Sequence, residues 1–326
     1  MQQNTGAGRE QLGRTKLSVS RIGFGTSGLG DMPETYGYGV GEKQALETIR
    51  AIFDGPANLL DTSRNYGVGR SEARIGQVIR ERGGLPADFV LSTKLDRDNQ
   101  TNSFDASRAR RSLEESLQAL GLQRIPLLHL HDPEHADSLD GITGPRGAIA
   151  ELFRMKEEGL CDAVGLAAGR ADIMTPMLAD WDFDALITHN RFTLTNRNAE
   201  PMIDFARSKG TAILNAAPYS GGVLAKGTAT YKRYVYQEAS DSQLDPIRRV
   251  EAICAKFDIP PGAAALQFSL RDPRITATIC GVTKPERVRQ TLDWAAWPIP
   301  EEAWDELMAL EAGREDPEAE REYRLG

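Results

Sequence analysis

The sequence predicts an α/β chain closed into a single-domain (β/α)8 barrel, the TIM-barrel architecture. Eight short, mostly continuous apolar runs alternate with amphipathic stretches of helical period, as parallel strands buried on both faces do when helices cover them. Eight is the strand number that closes a barrel. The chain has 326 residues, 40% of them hydrophobic, which suits one large barrel. An open, doubly wound sheet is the structural alternative.

Strands are expected at 21–26, 57–60, 89–93, 125–130, 163–166, 185–188, 212–215 and 277–280. Helix-like stretches lie between them, among others at 42–53, 71–82, 106–120, 147–158, 199–208 and 285–294. Gly55-Pro56, Gly83-Gly84, Gly121, Gly159 and Gly210 punctuate the connections. Residues 12–20 precede the first strand and read as a hairpin closing the barrel bottom. Residues 228–243 are polar, tyrosine-containing and long enough for a lid after the seventh strand. The charged tail, 313–326, is expected to fray or lie on the surface. One domain spans 1–326, with its core at about 12–310.

Acidic residues outnumber basic ones, 47 to 39, for a formal charge of -8. That disfavours a nucleic-acid partner while leaving room for a local basic pocket. Residues 1–10 are polar, without the apolar stretch of a signal peptide, and no apolar run is long enough for a membrane span. Cys161, Cys254 and Cys280 are far apart and odd in number, giving neither a disulfide framework nor a Cys-x-x-Cys metal site. The expectation is a cytoplasmic, metal-free protein with a small-molecule substrate. A homodimer is left open.

Chemistry in such a barrel sits at the carboxyl ends of the strands. Three consecutive runs end in reactive side chains: Asn58-Leu59-Leu60 in Asp61, Ser92-Thr93 in Lys94, and His129-Leu130 in His131. Tyr66 follows in the turn Asn65-Tyr66-Gly67. Singly, each has an ordinary structural reading: a turn cap, a strand-end lysine, a satisfied barrel histidine, a packing tyrosine. Together they make a proton-transfer set. A phenol has a usual pKa near 10, and lowering it by about 2–3 units takes roughly 3–4 kcal/mol. An ammonium about 4 Å away supplies about that at an effective dielectric near 20. Asp61 would orient Lys94, and His131 would steady charge on a substrate oxygen. His129 and His131 alternate on one strand face, so a metal-dependent hydrolase is a weaker reading, with no further acid/His pairs at other strand ends.

Asp61-Thr62-Ser63-x-x-Tyr66-Gly67, Ser92-Thr93-Lys94 and His129-Leu130-His131-Asp132-Pro133 resemble the motifs of the aldo-keto reductase superfamily. So do Ile22-Gly23-Phe24-Gly25-Thr26 and Pro285-Glu286-Arg287. The resemblance runs from about Leu12 to about Leu310. It implies a barrel of the NAD(P)-linked oxidoreductase type, with NAD or NADP as cofactor and Asp61, Tyr66, Lys94 and His131 as catalytic tetrad. The segments 128–133 and 215–224 are similar to the branch that oxidises free sugars at C1, such as L-fucose, D-threo-aldoses and L-galactose. Pyridoxal oxidation, general aldehyde or ketone reduction, and a cofactor-binding regulatory subunit are the competing readings.

Gly23-x-Gly25-x-x-Gly28 formally matches a dinucleotide-binding pattern, but Asp31, Met32 and Pro33 follow where a helix should start. The resemblance instead places Gly25, Thr26 and Ser27 at the nicotinamide end. Ser220, Gly222 and Leu224 belong to a small-residue loop suited to a pyrophosphate. Gly281, Thr283, Lys284 and Arg287 lead into the last barrel helix, where amides and cations suit a phosphate. The amide after the sixth strand falls on His189 or Asn190, with Asn190 the choice here. The chain departs from the family pattern at Ala167-Ala168, at Ala216, for which Tyr219 could compensate, and at Gly281, where a lysine is common. These departures leave NAD versus NADP undecided.

Overall fold

The computed structural model describes residues 8–321; the expectations for 1–7 and 322–326 lie outside the described residues. The eight expected strands form one closed parallel barrel: β1 Ile22–Gly25, β2 Leu59–Asp61, β3 Val90–Leu95, β4 Ile125–His131, β5 Cys161–Ala168, β6 Ala185–His189, β7 Ala212–Ala216 and β8 Ala277–Gly281. Closure comes from β8 on β1, with Thr278 opposite Ile22 and Gly281 opposite Gly25. The doubly wound alternative is thereby excluded. Among the described residues, no helix is long and apolar enough to cross a membrane.

Strand side chains alternate between lumen and helix layer, and this parity aims the chemistry. Leu59 joins the lumen cluster with Val90, Leu127, Ala163, Ala212 and Leu214, whereas Leu60, Leu91 and Leu128 pack outward under the helices. Counting by twos from Leu59, Val90 and Leu127 puts Asp61, Ser92, Lys94, His129 and His131 on the lumen side. At mid-barrel, His129 faces Gly165, where any Cβ would collide with the imidazole.

The outer layer follows its sequence signals. The helix Ala106–Leu120 starts at Asp105, whose carboxylate accepts from the Arg108 amide, and stops at Gly121 with φ 71°. Asp241–Lys256 opens with a capping box between Ser240 and Gln243. The expected hairpin pairs Arg9–Gln11 with Ser18–Ser20, and fully buried Leu12 and Val19 plug the lumen bottom. The expected lid holds a small ribbon, Arg233–Tyr234 against Gln237–Glu238. Arg233 ties it down by donating to the carbonyls of Thr35 and Tyr236.

The tail, as far as it is described, lies on the surface as expected and is tied down rather than frayed. Its described part crosses the barrel mouth: Asn196 and Asn198 side chains donate to the Glu315 and Arg314 carbonyls, and Asp316 pairs with Arg191 at 2.6 Å. Glu318 is buried against His189 (3.2 Å), Asn190 (2.9 Å), Arg191 (3.1 Å) and Arg321 (2.6 Å). These cations hold its carboxyl below the usual range although burial opposes ionisation. Glu318→Ala is expected to lower stability by about 3 kcal/mol, since breaking a buried pair strands its partner charge. Urea unfolding checks this; a change under about 0.5 kcal/mol would mark the tail as an ordinary solvated surface.

Candidate active site

The loop after β2 carries Tyr66 and is set by a close backbone crossing. Gly67 has φ 62°, and a Cβ there would collide with the Gly30 carbonyl; one at Gly30 would collide with the Tyr66 carbonyl. Tyr66 is thus brought over the ends of β2 and β3. The Lys94 ammonium donates to both Asp61 oxygens at 2.9 and 2.8 Å, to the Thr62 carbonyl at 2.6 Å and to the Tyr66 hydroxyl at 3.1 Å. Asp61 also accepts from Ser92 at 2.9 Å. Lys94 and Asp61 are buried. The His131 ring stands edge-on to Tyr66, with centroids 6.0 Å apart.

One cavity of about 240 Å³ contains this group. Asp61, Tyr66, Lys94 and His131 all line it, as do Gly25, Ser27, Gly222, Gly281, Thr283 and Arg287. The side chains of Thr26, Asn190, Ser220, Leu224 and Lys284 are not on its wall. Thr26 is fully buried beneath it, its hydroxyl donating to the Asp61 carbonyl. Asn190 turns to Glu318, Ser220 turns to Thr195, and Leu224 packs in the core. Lys284 borders a separate shallow crevice with Glu42 and Glu47. Residues that face the site depend on chain reversals: Ala217, Ser220, Gly221 and Gly222 all have positive φ.

The electrostatics correct one expectation. Tyr66 is half-buried, with its exposed part facing the cavity, yet burial pushes its pKa well above 10, and Asp61 adds to the rise. The Lys94 ammonium, 3.1 Å from the phenol oxygen, is itself paired with Asp61 at 2.8 Å. For His131, burial opposes the cation, but Asp132 and Asp96 outweigh it and lift its pKa above the usual 6.5. His129, wholly buried, is held well below 6.5 by burial and by Lys94.

Several site residues are absent from the sequence reading. Asp96 binds His131, Lys226 lies between the Tyr38 and Tyr231 rings, and Tyr36, Tyr236 and Arg321 close the mouth. Asp96 had a signal, since it lies two residues beyond Lys94. The others come from loops and the tail, where no periodicity points inward.

The family model described as Aldo/keto reductase family matches residues 21–312. The chain belongs to the aldo/keto reductase family. It is 30% identical to D-threo-aldose 1-dehydrogenase of a Pseudomonas species over 318 residues, covering 89% of this chain and 94% of that one. It is 28% identical to pyridoxal 4-dehydrogenase of Microbacterium luteolum, covering 92% and 96%. A solved aldo-keto reductase from Bacillus halodurans, in its holo form, superposes with a TM-score of 0.76 at 19% identity, covering 96% of this chain and 99% of that one. This aldo/keto reductase is an NAD(P)-dependent oxidoreductase acting on a small molecule.

The cavity suits that cofactor. A Cβ at Gly281 would meet nothing within 4 Å, so the space above this backbone is open. Lys226 and Arg287 share the wall there, and the Lys226 ammonium is pushed down to about 8 by burial and by the Arg287 and Arg233 charges. Among the described residues no carboxylate pairs with these three cations, so the cluster is short of an anion. At the other end, Ala167, Ala168 and Ala216 give an apolar wall, and Tyr219 adds a ring packed edge-on to Trp294 at 5.9 Å.

Proposed function

We propose that this enzyme oxidises an aldose at C1, taken as the cyclic lactol, to the lactone, with Tyr66 as acid/base. The observation that carries the reading is the Lys94 ammonium bonded at once to Asp61, the Thr62 carbonyl and the Tyr66 hydroxyl at the end of one cavity. Facing that group are Tyr36, Asp132, His189, Tyr236 and Arg321, a wall of hydrogen-bonding side chains suited to a polyhydroxylated ring. The similarity to D-threo-aldose 1-dehydrogenase supports the same substrate class.

Bound NAD(P) would supply the hydride acceptor for C1, and Lys226, Gly281, Thr283 and Arg287, which line the cavity, would hold its phosphates. Tyr66 takes the C1 hydroxyl proton, Lys94 steadies the phenol oxygen, and Asp61 fixes Lys94. His131 lies beside the reacting oxygen. Oxidation consumes a proton acceptor and reduction a donor, so oxidation gains as pH rises and reduction loses. Cytoplasmic placement goes with this reading, which leaves Cys161, Cys254 and Cys280 as free, buried thiols.

The test is a matrix of NAD and NADP against L-fucose, D-arabinose, L-galactose and pyridoxal, with NADPH against simple aldehydes. Aldose oxidation is the expected best activity. Efficient aldehyde reduction with no aldose oxidation at any pH would overturn the substrate. Pyridoxal is the second reading, favoured by the aromatic wall of Tyr36, Tyr38 and Tyr236.

Arg287 bears on the nucleotide. If it meets a 2′-phosphate, Arg287→Ala is expected to weaken NADP by roughly tenfold or more, a charged hydrogen bond contributing about 1.5–3 kcal/mol. NAD should change far less. Equal losses in fluorescence titrations would assign Arg287 to a part that both nucleotides share.

A further inference from the structure

The His131 imidazole is held from behind. Its Nδ1 lies 2.5 Å from Asp96 Oδ1, and both side chains are buried. Asp96 is itself fixed: its Oδ2 accepts from the Ser63 hydroxyl at 2.7 Å and from the Asn65 amide at 3.0 Å. A carboxylate accepts only, so the hydrogen of a neutral His131 resides on Nδ1. Nε2, 3.5 Å from Asp132 Oδ1, is left with a lone pair at the cavity wall. The half-buried Tyr66 phenol, with Asp61 nearby, gives up its proton reluctantly, so oxidation through Tyr66 calls for a second base nearby.

We propose that Asp96 is a positioning residue for proton transfer, holding the Nδ1–H of His131 so that Nε2 takes the proton Tyr66 must shed before oxidation and returns one before reduction. The proposal rests on the reading of Tyr66 and His131 given above. The balance closes. The C1–H bond breaks and its hydride leaves to the oxidised nicotinamide; the C1 hydroxyl proton goes to the Tyr66 oxygen; the proton formerly on Tyr66 goes to Nε2 and then to solvent; the carbonyl forms. Reduction runs the same path backwards.

Titration of His131 then sets the pH dependence. The groups facing it are Asp96 and Lys94 from the β3 end, His129 on its own strand, Asp132 and His135 beyond the β4 end, and Tyr66 from the β2 loop. Asp96 and Asp132 favour the cation, while burial and Lys94 oppose it. Oxidation requires neutral His131, so it rises through the His131 titration and then levels. Reduction requires the imidazolium and falls over the same interval.

The test is Asp96→Asn. Its amide oxygen can keep the Ser63 and Asn65 bonds, which turns the NH2 toward Nδ1 and forces the proton onto Nε2. Imidazole NMR of the cofactor-free protein reads this directly, because the chain has 4 histidines and His131→Asn assigns the signal. The His131 midpoint is expected to move down by about one pH unit or more, with the protonated nitrogen switched. The oxidation limb should move down by the same amount, and kcat should fall roughly ten- to a hundredfold, with cofactor affinity unchanged. Ser63→Ala, which removes one of the two donors to Asp96 Oδ2 and leaves more of the carboxylate charge for Nδ1–H, should move the His131 midpoint slightly upward and serves if Asp96→Asn does not fold. An unmoved His131 titration, or superimposable pH profiles, would overturn the proposal. If the wild type oxidises no aldose while the NMR shift stands, the substrate reading fails and the Asp96–His131 pair survives.

Discussion

Tyr66→Phe is expected to lower turnover at least a hundredfold while cofactor affinity stays within about twofold. The substitution deletes the hydroxyl to which Lys94 donates at 3.1 Å and leaves the ring in place. Lys94 keeps both Asp61 oxygens and the Thr62 carbonyl, so the buried ion pair survives and the fold should be unaffected. Positioned acid/base groups contribute about 10² to 10⁴ in rate, which sets the magnitude. Steady-state oxidation rates with the preferred aldose, set beside nucleotide binding followed by tryptophan fluorescence, separate the two effects. Activity above about a tenth of wild type would remove Tyr66 from the chemistry and move the proton to another group, His131 first.

The second large effect falls on Lys94 and joins activity to stability. Lys94→Met leaves Asp61 buried without its cation, and removing one partner of a buried pair costs about 3–5 kcal/mol. Activity should fall at least as far as in Tyr66→Phe, because the phenol oxygen loses its charged donor and its pKa rises further. The double variant Lys94→Met with Asp61→Asn should recover much of the stability, since no unpaired charge remains, and none of the activity. Chemical denaturation of the three proteins checks the first half, and initial rates check the second. If the single and double variants proved equally stable, Asp61 would not be carrying an uncompensated charge.

Much of this was open to a reader of the chain alone. The apolar runs ending in Asp61, Lys94 and His131 are strands because they are short, continuous and bounded by turn residues, and the side-chain period of two fixes which face those ends present. Once the barrel is granted, its geometry converts sequence order into spatial convergence: β2, β3 and β4 are neighbours, so their last lumen residues must meet. Asp61, Lys94 and His131 were legible for that reason, and Tyr66 followed from its five-residue offset in the adjoining loop.

What only the tertiary structure decided concerns charge and loops. The tail reads as a solvated charge run, and nothing local in Asp316 or Glu318 distinguishes them from Glu315 or Glu320. Glu318 is buried because His189, Asn190 and Arg191 wait at the mouth after β6, a pairing across more than a hundred residues that carries no periodicity. The fate of the Tyr66 proton is likewise a matter of distance. Spacing put an amine near a phenol, but whether the amine's field reaches the phenol or is taken up by Asp61 depends on separations of about 3 Å and on the exclusion of water. Electrostatic energies vary steeply over those lengths and with burial. The sequence therefore determined which groups meet, while the packing around them determined which one gives up its proton.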